Sequence, residues 1–325
     1  MKKALILGVT GQDGAFLSNF LINKGYEIYG VTRSISESNL IKISAFGIQN
    51  KITLHKLDDY SIDELKSLIN QIQPNEIYNL ASQSSVSLSF EKPELTFYSS
   101  ANLTFNLLEA VKVSKKDTKI YVAGSGDCYG NTFDGPVDET SEFNPQSPYG
   151  LSKVVSSQIV KYYRDSFGLF VCTGILFSHD SSLKKEQFVL QKIVEAARRI
   201  SMGSEEVINL GSNVSRDWGY AEEYVESMWL MLQNKIPVDY IVATGKTNPL
   251  ERFAEYVFGY LNINILDRIK FDTFQKRDSD ITFSSANPSK IKRELNWSAK
   301  SNLQDLAKIL INKSDILNLH KISKK

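Results

Sequence analysis

Tyr149 and Lys153 stand four residues apart, and of the fifteen tyrosines in the chain only this one has a lysine at that spacing. On a helix the two side chains share one face. An ammonium beside a phenol favours the phenolate, so the expected effect is a lowered tyrosine pKa and a group able to take a proton from an alcohol. Ser125-Gly126-Asp127 follows the apolar run Lys119–Ala123 and adds a hydroxyl at the end of that run. A hydroxyl, a phenol and a lysine at strand ends make a hydride-transfer site, with the alcohol deprotonated at Tyr149 and hydride passed to a nicotinamide. A Tyr–Lys pair alone is also an ordinary surface contact of a helix. Its place after the fifth strand of a dinucleotide-binding pattern is what points to chemistry.

That pattern is carried by Gly8-Val9-Thr10-Gly11-Gln12-Asp13-Gly14, between a strand-like run and a helical one. Spaced glycines there permit a tight turn and let backbone N–H groups meet a pyrophosphate at the helix N-terminus. The string alone reads equally as a plain turn; the strand–turn–helix context makes it a dinucleotide site. After the second strand an acidic residue would mark NAD. The chain has Thr32-Arg33-Ser34 instead, with a cation where a 2′-phosphate would sit. NADP is therefore the expected cofactor, against a solvated surface role for Arg33. Asp58, after the third strand, could accept a hydrogen bond from an adenine amino group or cap a helix. Ala81-Ser82-Gln83-Ser84 follows the fourth strand at its carboxyl end, where a cofactor lies in an open α/β sheet.

The elements that must position these residues alternate. Ala4–Leu7 is a short continuous apolar run, as in a strand buried on both faces. Helical spacing follows over Ala15–Asn23, then strands at Ile28–Val31 and Ile52–Lys56. Ser61-x-x-Glu64 is a capping box opening a helix with Ile62, Leu65, Leu68, Ile69 and Ile72 on one face, and Pro74 ends it. Strand Glu76–Leu80, helix Leu103–Val113, strand Lys119–Ala123, helix Pro148–Asp165 and strand Phe170–Phe177 continue the series. Repeated β-α-β units predict an α/β fold of Rossmann type, a doubly wound parallel sheet covered on both faces. The expected cofactor-binding domain is residues 1–178, with the chain returning to it around 214–236. Residues 179–325, where the alternation loosens into charged helices such as Phe188–Ile200, form the expected smaller C-terminal substrate-binding domain.

Of 325 residues, 42% are hydrophobic and 23% charged, enough apolar material for a sizeable core. Lys plus Arg is 38 against 37 for Asp plus Glu, a balance that argues against nucleic acid or an anionic membrane as partner. No apolar run reaches the ~18 residues of a membrane span. Met1-Lys2-Lys3 before Ala4–Val9 looks like the start of a signal peptide, but a Gly-rich turn stands where a cleavage site would be. Cys128 and Cys172 build no disulfide framework, and three scattered histidines show no metal-ligand spacing. A cytoplasmic protein without a metal is expected.

The chain resembles the extended short-chain dehydrogenase/reductases and, within them, the GDP-mannose 4,6-dehydratases, along nearly its whole length. The likeness rests on GVTGQDG at Gly8–Gly14, PNEIYNLASQSSVSLSFEKPE at Pro74–Glu94 and SPYGLSK at Ser147–Lys153. It continues through GILFSHDS at Gly174–Ser181, FVLQKI at Phe188–Ile193 and RDWGYAEEYVESMWLML at Arg216–Leu232. The resemblance implies an NADP-dependent hydro-lyase acting on a GDP-sugar, most simply GDP-mannose. Tyr149 would take the proton of the sugar 4-hydroxyl while hydride leaves C4. Ser125, in place of the usual threonine, would hold the 4-oxygen. Asp127, in place of the usual glutamate, would take the C5 proton so that water leaves from C6. Hydride returned to C6 then gives a 4-keto-6-deoxy sugar nucleotide.

Implied cofactor contacts are Gly8, Thr10, Gly11, Gln12, Asp13, Gly14, Arg33, Asp58, Asp59, Leu80, Ala81, Gln83, Tyr149, Lys153, Leu176 and His179. Implied substrate contacts are Ser85, Ser125, Asp127, Ser178, Lys192, Gly211, Arg216 and Arg277. The two arginines suit a pyrophosphate, since a guanidinium fork matches its oxygens; the plain reading of Arg216-Asp217 is a local ion pair. Ser178 replaces the family's usual asparagine, Ser85 a histidine, and Ser34 a second arginine. Relatives form dimers or tetramers, so a homo-oligomer is expected.

Two other functions compete. A nucleotide-sugar 4-epimerase or 4-keto reductase would keep the fold and cofactor but has no use for a carboxylate near C5, so Asp127 separates it from a dehydratase. A catalytically idle dinucleotide-binding sensor would have no use for Tyr149 and Lys153 together. The cofactor reading is open to calorimetry: Arg33→Ala should weaken NADP binding by ~1–3 kcal/mol and leave NAD nearly unchanged. Tighter binding of NAD than NADP by the unaltered chain would count against it.

Overall fold

In the computed structural model, which describes residues 1–114, 117–266, 268–271 and 280–313, the first strand, β1 (Lys3–Leu7), divides its side chains between two cores. Ala4 and Ile6 enter one, Leu5 and Leu7 the other. A strand buried on both faces needs apolar residues at both phases of its two-residue period, which is why this run does not alternate with polar residues. The chain continues through α1 (Gln12–Asn23), β2 (Glu27–Thr32), α2 (Glu37–Ser44), β3 (Ile52–Lys56), α3 (Ile62–Ile72) and β4 (Glu76–Asn79). Next come α4 (Val86–Glu91), α5 (Pro93–Phe97), a single π turn at Tyr98–Asn102, and α6 (Leu103–Ser114). They are followed by β5 (Lys119–Ala123), α7 (Pro148–Phe167) and β6 (Val171–Leu176).

The remainder begins with β7 (His179–Asp180), α8 (Val189–Ser201), β8 (Ile208–Leu210), β9 (Ser215–Asp217), β10 (Gly219–Tyr220) and α9 (Ala221–Gln233). It ends with β11 (Tyr240–Val242), β12 (Thr247–Pro249), α10 (Leu250–Tyr260), β13 (Ile269–Phe271), α11 (Ser289–Leu295) and α12 (Leu303–Lys313). Seven strands form one sheet in the order β11-β6-β5-β4-β1-β2-β3, every pairing parallel. Helices α1 and α9 fill one face, and α3, α6 and α7 the other. The expected doubly wound Rossmann-type sheet is therefore present. Its strand order reverses between β1 and β4, and in such sheets a crevice opens at the carboxyl ends of those strands.

Local rules explain several boundaries. The Ser61 side chain accepts from Glu64 N while the Glu64 carboxylate reaches back to Ser61 N, closing the expected capping box. Gln73 then ends α3 in the left-handed conformation before Pro74. Between the second and third strands, where the sequence pattern showed no element, lies α2. Leu40 and Ile43 supply a buried i,i+3 pair, and Phe46 packs edge-on against Phe16 at 5.1 Å. Three residues of β11 extend the sheet beside β6, a strand too short to be visible as a pattern.

A second core lies between α8, α10 and α12, with Trp218 and Tyr220. The chain passes between the cores more than once: α9, β11 and the Ile291–Trp297 region pack in the first. Among the described residues no helix is long and apolar enough to cross a membrane.

At the amino end of the sheet, Glu76 is 1% exposed yet carries a carboxylate. It accepts from Lys2 Nζ (3.1 Å), Tyr26 Oη (3.0 Å), Tyr78 Oη (2.7 Å) and Gln233 Nε2 (3.2 Å), binding β1, β4 and α9 together. Glu76→Ala would strand a buried phenol and three further donors, each buried orphan costing ~1–3 kcal/mol. The expected loss is about 3 kcal/mol, read from urea unfolding. A loss under about 0.5 kcal/mol would mean that water replaces the carboxylate.

Candidate active site

The turn from β1 into α1 is built from backbone. Gly8 has φ +81°, and a Cβ there would stand 2.8 Å from the Ala81 nitrogen, so this turn lies directly against the segment after β4. A Cβ on Gly14 would collide with the Gly8 carbonyl oxygen. Gly11 is the N-cap of α1, and no side chain caps that helix. A side-chain-free cradle that ends on an uncapped helix N-terminus fits a pyrophosphate. Leu80 N donates to Leu7 O (3.0 Å), which fixes the β4 end against the β1 end.

Residues read as cofactor contacts divide into several kinds. Asp13 and His179 meet each other, with Asp13 Oδ2 3.0 Å from His179 Nε2, while His179 Nδ1 lies 2.7 Å from Phe177 O. Burial alone would raise the Asp13 pKa, but the charge and hydrogen bond of His179 outweigh it and bring the carboxyl to about 2. The imidazole moves the opposite way: burial lowers it, Asp13 more than compensates, and its pKa is raised. Gln12 Oε1 accepts from Ser181 Oγ (2.7 Å), a second link between α1 and the strand after β6. Thr10 Oγ1 lies 3.5 Å from Thr32 Oγ1, and Leu176 is buried at the end of β6.

Arg33 is exposed, with no carboxylate within ion-pair distance among the described residues. Asp58 is exposed and paired with Lys56 (3.0 Å), whereas Asp59 accepts from Tyr98 Oη on the π turn. Gln83 is spent locally. Its Nε2 donates to Ser85 O (2.8 Å) and Thr96 Oγ1 (3.1 Å), and its backbone N donates to Ser99 Oγ (3.2 Å). Ser85 Oγ caps α4 by accepting from Leu88 N (3.2 Å).

The candidate chemical groups gather where α7 starts. Ser147 caps it, its Oγ accepting from Gly150 N at 3.0 Å, and Pro148 begins the first turn. A Cβ on Gly150 would stand 2.7 Å from the Asp127 carbonyl oxygen, so the helix start presses against the short 3₁₀ turn Gly126–Tyr129. That contact brings Tyr149, Ser125 and Asp127 together. Ser125 Oγ accepts from Asp127 N (3.2 Å).

Beside Lys153 the Tyr149 pKa is raised, not lowered as the sequence led us to expect. Lys153 Nζ donates to Ala123 O at 2.9 Å and lies 5.9 Å from the Tyr149 ring centre. Burial pushes the Tyr149 phenol up, the Asp127 charge adds to it, and the Ser125 hydroxyl offsets only part. Burial also lowers the Lys153 ammonium, to about 8.

Arg216 and Asp217 do not pair locally. Arg216 Nη1 lies 3.3 Å from Asp127 Oδ1, and Nη2 donates to Ile281 O at 3.1 Å. Asp217 points the other way and accepts from Thr244 N (2.8 Å), Thr244 Oγ1 (2.8 Å), Gly245 N (2.7 Å) and Lys246 N (3.1 Å), which anchors β9. Asn131 had no sequence signal. Its Oδ1 accepts from Thr282 N (2.8 Å) and Phe283 N (3.0 Å), which holds in place the segment that contacts Arg216.

Lys192 is exposed on α8, where its Nζ donates to Asn209 O (2.6 Å), and Gly211 directly follows β8. Ser178 offers its carbonyl to Gly219 N (2.8 Å). Arg277 lies outside the described residues.

The sheet, the glycine cradle and the Tyr149–Lys153 face define a protein of the short-chain dehydrogenase/reductase class. A family model described as GDP-mannose 4,6 dehydratase matches residues 5–310. GDP-mannose 4,6 dehydratase 2 of Arabidopsis thaliana is 40% identical over 321 residues, covering 95% of this chain and 86% of the relative. The Homo sapiens GDP-mannose 4,6 dehydratase is 36% identical over 334 residues, 95% of this chain and 90% of the relative. The chain belongs to the GDP-mannose 4,6-dehydratase family. In fold it is similar to the dTDP-glucose 4,6-dehydratase of Bacillus anthracis, solved in complex with NAD. The TM-score is 0.83 at 17% identity, over 100% of this chain and 98% of that one.

The Asp13–His179 pair has a pH signature. A raised imidazole pKa stabilises the fold fully below the unfolded value of ~6.5 and is lost as pH rises through the folded value. A depressed carboxyl stabilises above ~3.9 and is lost as pH falls through its folded value. The pair therefore contributes most between roughly pH 4 and 6.5. His179→Gln should destabilise the chain more at about pH 5.5 than at about pH 8.5 in urea unfolding; an equal cost at both would refute the pairing.

Proposed function

We propose that the chain is a nucleotide-sugar 4,6-dehydratase that converts GDP-mannose, or a close GDP-sugar, to the 4-keto-6-deoxy product with NADP as cofactor. The observation that carries this reading is the meeting of Ser125, Asp127 and Tyr149 at the carboxyl end of β5, in a chain matched by the dehydratase family over residues 5–310. The glycine cradle at Gly8–Gly14 would hold the pyrophosphate of the cofactor, and Arg33, exposed after β2 and without an ion-pair partner among the described residues, suits a 2′-phosphate. When bound, the oxidised dinucleotide would supply a hydride acceptor, and the positive charge of its nicotinamide ring would favour the Tyr149 phenolate that burial opposes. The cluster about Arg216 and the second core behind it would receive the sugar nucleotide, with residues 1–178 and 214–236 mainly on the cofactor side.

In this mechanism Tyr149 Oη takes the proton of the 4-hydroxyl as the C4–H bond gives up its electron pair. Ser125 donates a hydrogen bond to the resulting carbonyl oxygen. That carbonyl acidifies the neighbouring C5–H. Asp127 takes the C5 proton, the freed pair forms C5=C6, and hydroxide leaves C6. Of the two protons held at Tyr149 and Asp127, one departs with the hydroxide as water and the other returns to C5 as hydride returns to C6. A 4-epimerase or 4-keto reductase would leave Asp127 idle.

A cytoplasmic location is supported by two buried free thiols, Cys128 and Cys172. A homo-oligomer, dimer or tetramer, is supported by the exposed rings of Phe105, Tyr162 and Phe167, each of which packs against the buried Tyr163 ring.

Incubation with GDP-mannose in deuterated water tests the reading. The unaltered chain should yield a product lighter by one water and carrying deuterium at C5. Tyr149→Phe should turn over ~10²–10⁴-fold more slowly. Asp127→Asn should still bind and oxidise the sugar without losing water. Normal deuterium uptake by Asp127→Asn would remove it as the base and favour the epimerase or reductase.

A further inference from the structure

We infer that Arg216 holds Asp127 as a paired carboxylate until the diphosphate of a bound nucleotide sugar draws the guanidinium away, so that the base becomes free only in the complex. This rests on the reading above, in which Asp127 is the base and the ligand carries a diphosphate.

The geometry has three parts. First, the pair is direct, at 3.3 Å, and among the described residues no other cation lies within ion-pair distance of Asp127. A carboxylate engaged by a guanidinium offers its electron pair to that cation and is a poorer acceptor for a carbon-bound proton. Second, the pair is neither sealed nor free: the side chains of Arg216 and Asp127 are 19% and 16% exposed. A ligand entering from the mouth can reach the guanidinium, whose attraction to a charge is stronger there than in open water.

Third, the backbone carrying Arg216 is fixed while its side chain is held by exchangeable contacts. Asp217 clamps β9 through four hydrogen bonds to residues 244–246, and β9 also pairs with β12. Beyond Asp127, the guanidinium holds only the neutral Ile281 carbonyl among the described residues. Release is therefore a swing of one side chain on a rigid strand. A diphosphate carries more charge than one carboxylate and matches the planar donor fork of arginine, so exchange favours the ligand. On this account Arg216 is a positioning residue: it never meets C5, yet it sets when Asp127 can.

The test is carbodiimide-driven coupling of an amine to Asp127, followed by peptide mass mapping, in the unaltered chain with no ligand, with GDP and with guanosine. GDP should raise labelling of Asp127 at least threefold, and guanosine, lacking phosphate, should not. Arg216→Gln should label at the GDP level without any ligand and stop responding to GDP, whereas Arg216→Lys should keep the response. An Arg216 that only supported the fold would leave labelling independent of ligand. If Arg216→Gln does not fold, the comparison of GDP with guanosine on the unaltered chain decides alone. GDP that binds by calorimetry while labelling stays level or falls overturns the coupling and leaves the dehydratase reading intact. GDP that does not bind at all overturns the nucleotide reading, and the coupling with it.

Discussion

The candidate site exists because α7 starts almost in contact with the turn that follows β5, and residue 150 has no side chain to prevent it. A single Cβ there would drive into the Asp127 carbonyl and push the helix outward. Tyr149 precedes that glycine by one residue and Lys153 follows by three, so the separation of phenol, hydroxyl and carboxylate is set by this one close approach. The same principle operates at the other end of the crevice, where Gly8 lets the first turn rest on Ala81. Two places where backbone meets backbone thus fix the distance between the cofactor cradle and the chemical groups. Proximity of that kind, built into rigid elements, is worth far more to a reaction than any single contact.

The electrostatics are those of a site tuned for a charged visitor. Burial works against the charged forms of both Tyr149 and Lys153, and Asp127 makes the phenolate still less favourable. The negative charge of Asp127 is balanced by Arg216 at 3.3 Å.

Much of the sheet could be read in the sequence because its inner strands are buried on both faces and so appear as largely apolar runs; Lys119–Ala123 coincides with its expected bounds, as does the partly exposed edge strand Ile52–Lys56. The Ser61 capping box was equally legible, since it depends on two residues three apart. Helix α2 was not: only Leu40 and Ile43 face inward, and its stability comes from packing on α1. The Tyr149–Lys153 spacing correctly marked a shared helix face but misjudged the charge balance. Spacing carries no information about desolvation or about the Ala123 carbonyl that captures the ammonium. The plain alternative for Arg216-Asp217, a local ion pair, does not form, because on a strand neighbours point to opposite sides and each side chain has its partner far along the chain.

The way the chain shuttles between its two cores limits how such a protein can change. Helix α9, strand β11 and the region around Trp297 return to the first core after the second has begun, and α12 then closes the second. No single cut separates the part that would grip a sugar nucleotide from the part that would grip a dinucleotide. A new substrate preference could not be acquired by exchanging a contiguous cassette with a relative. It would have to arise in place, by substitution within short stretches such as 208–217 and 280–285, under the constraint that the interwoven scaffold still folds as one piece.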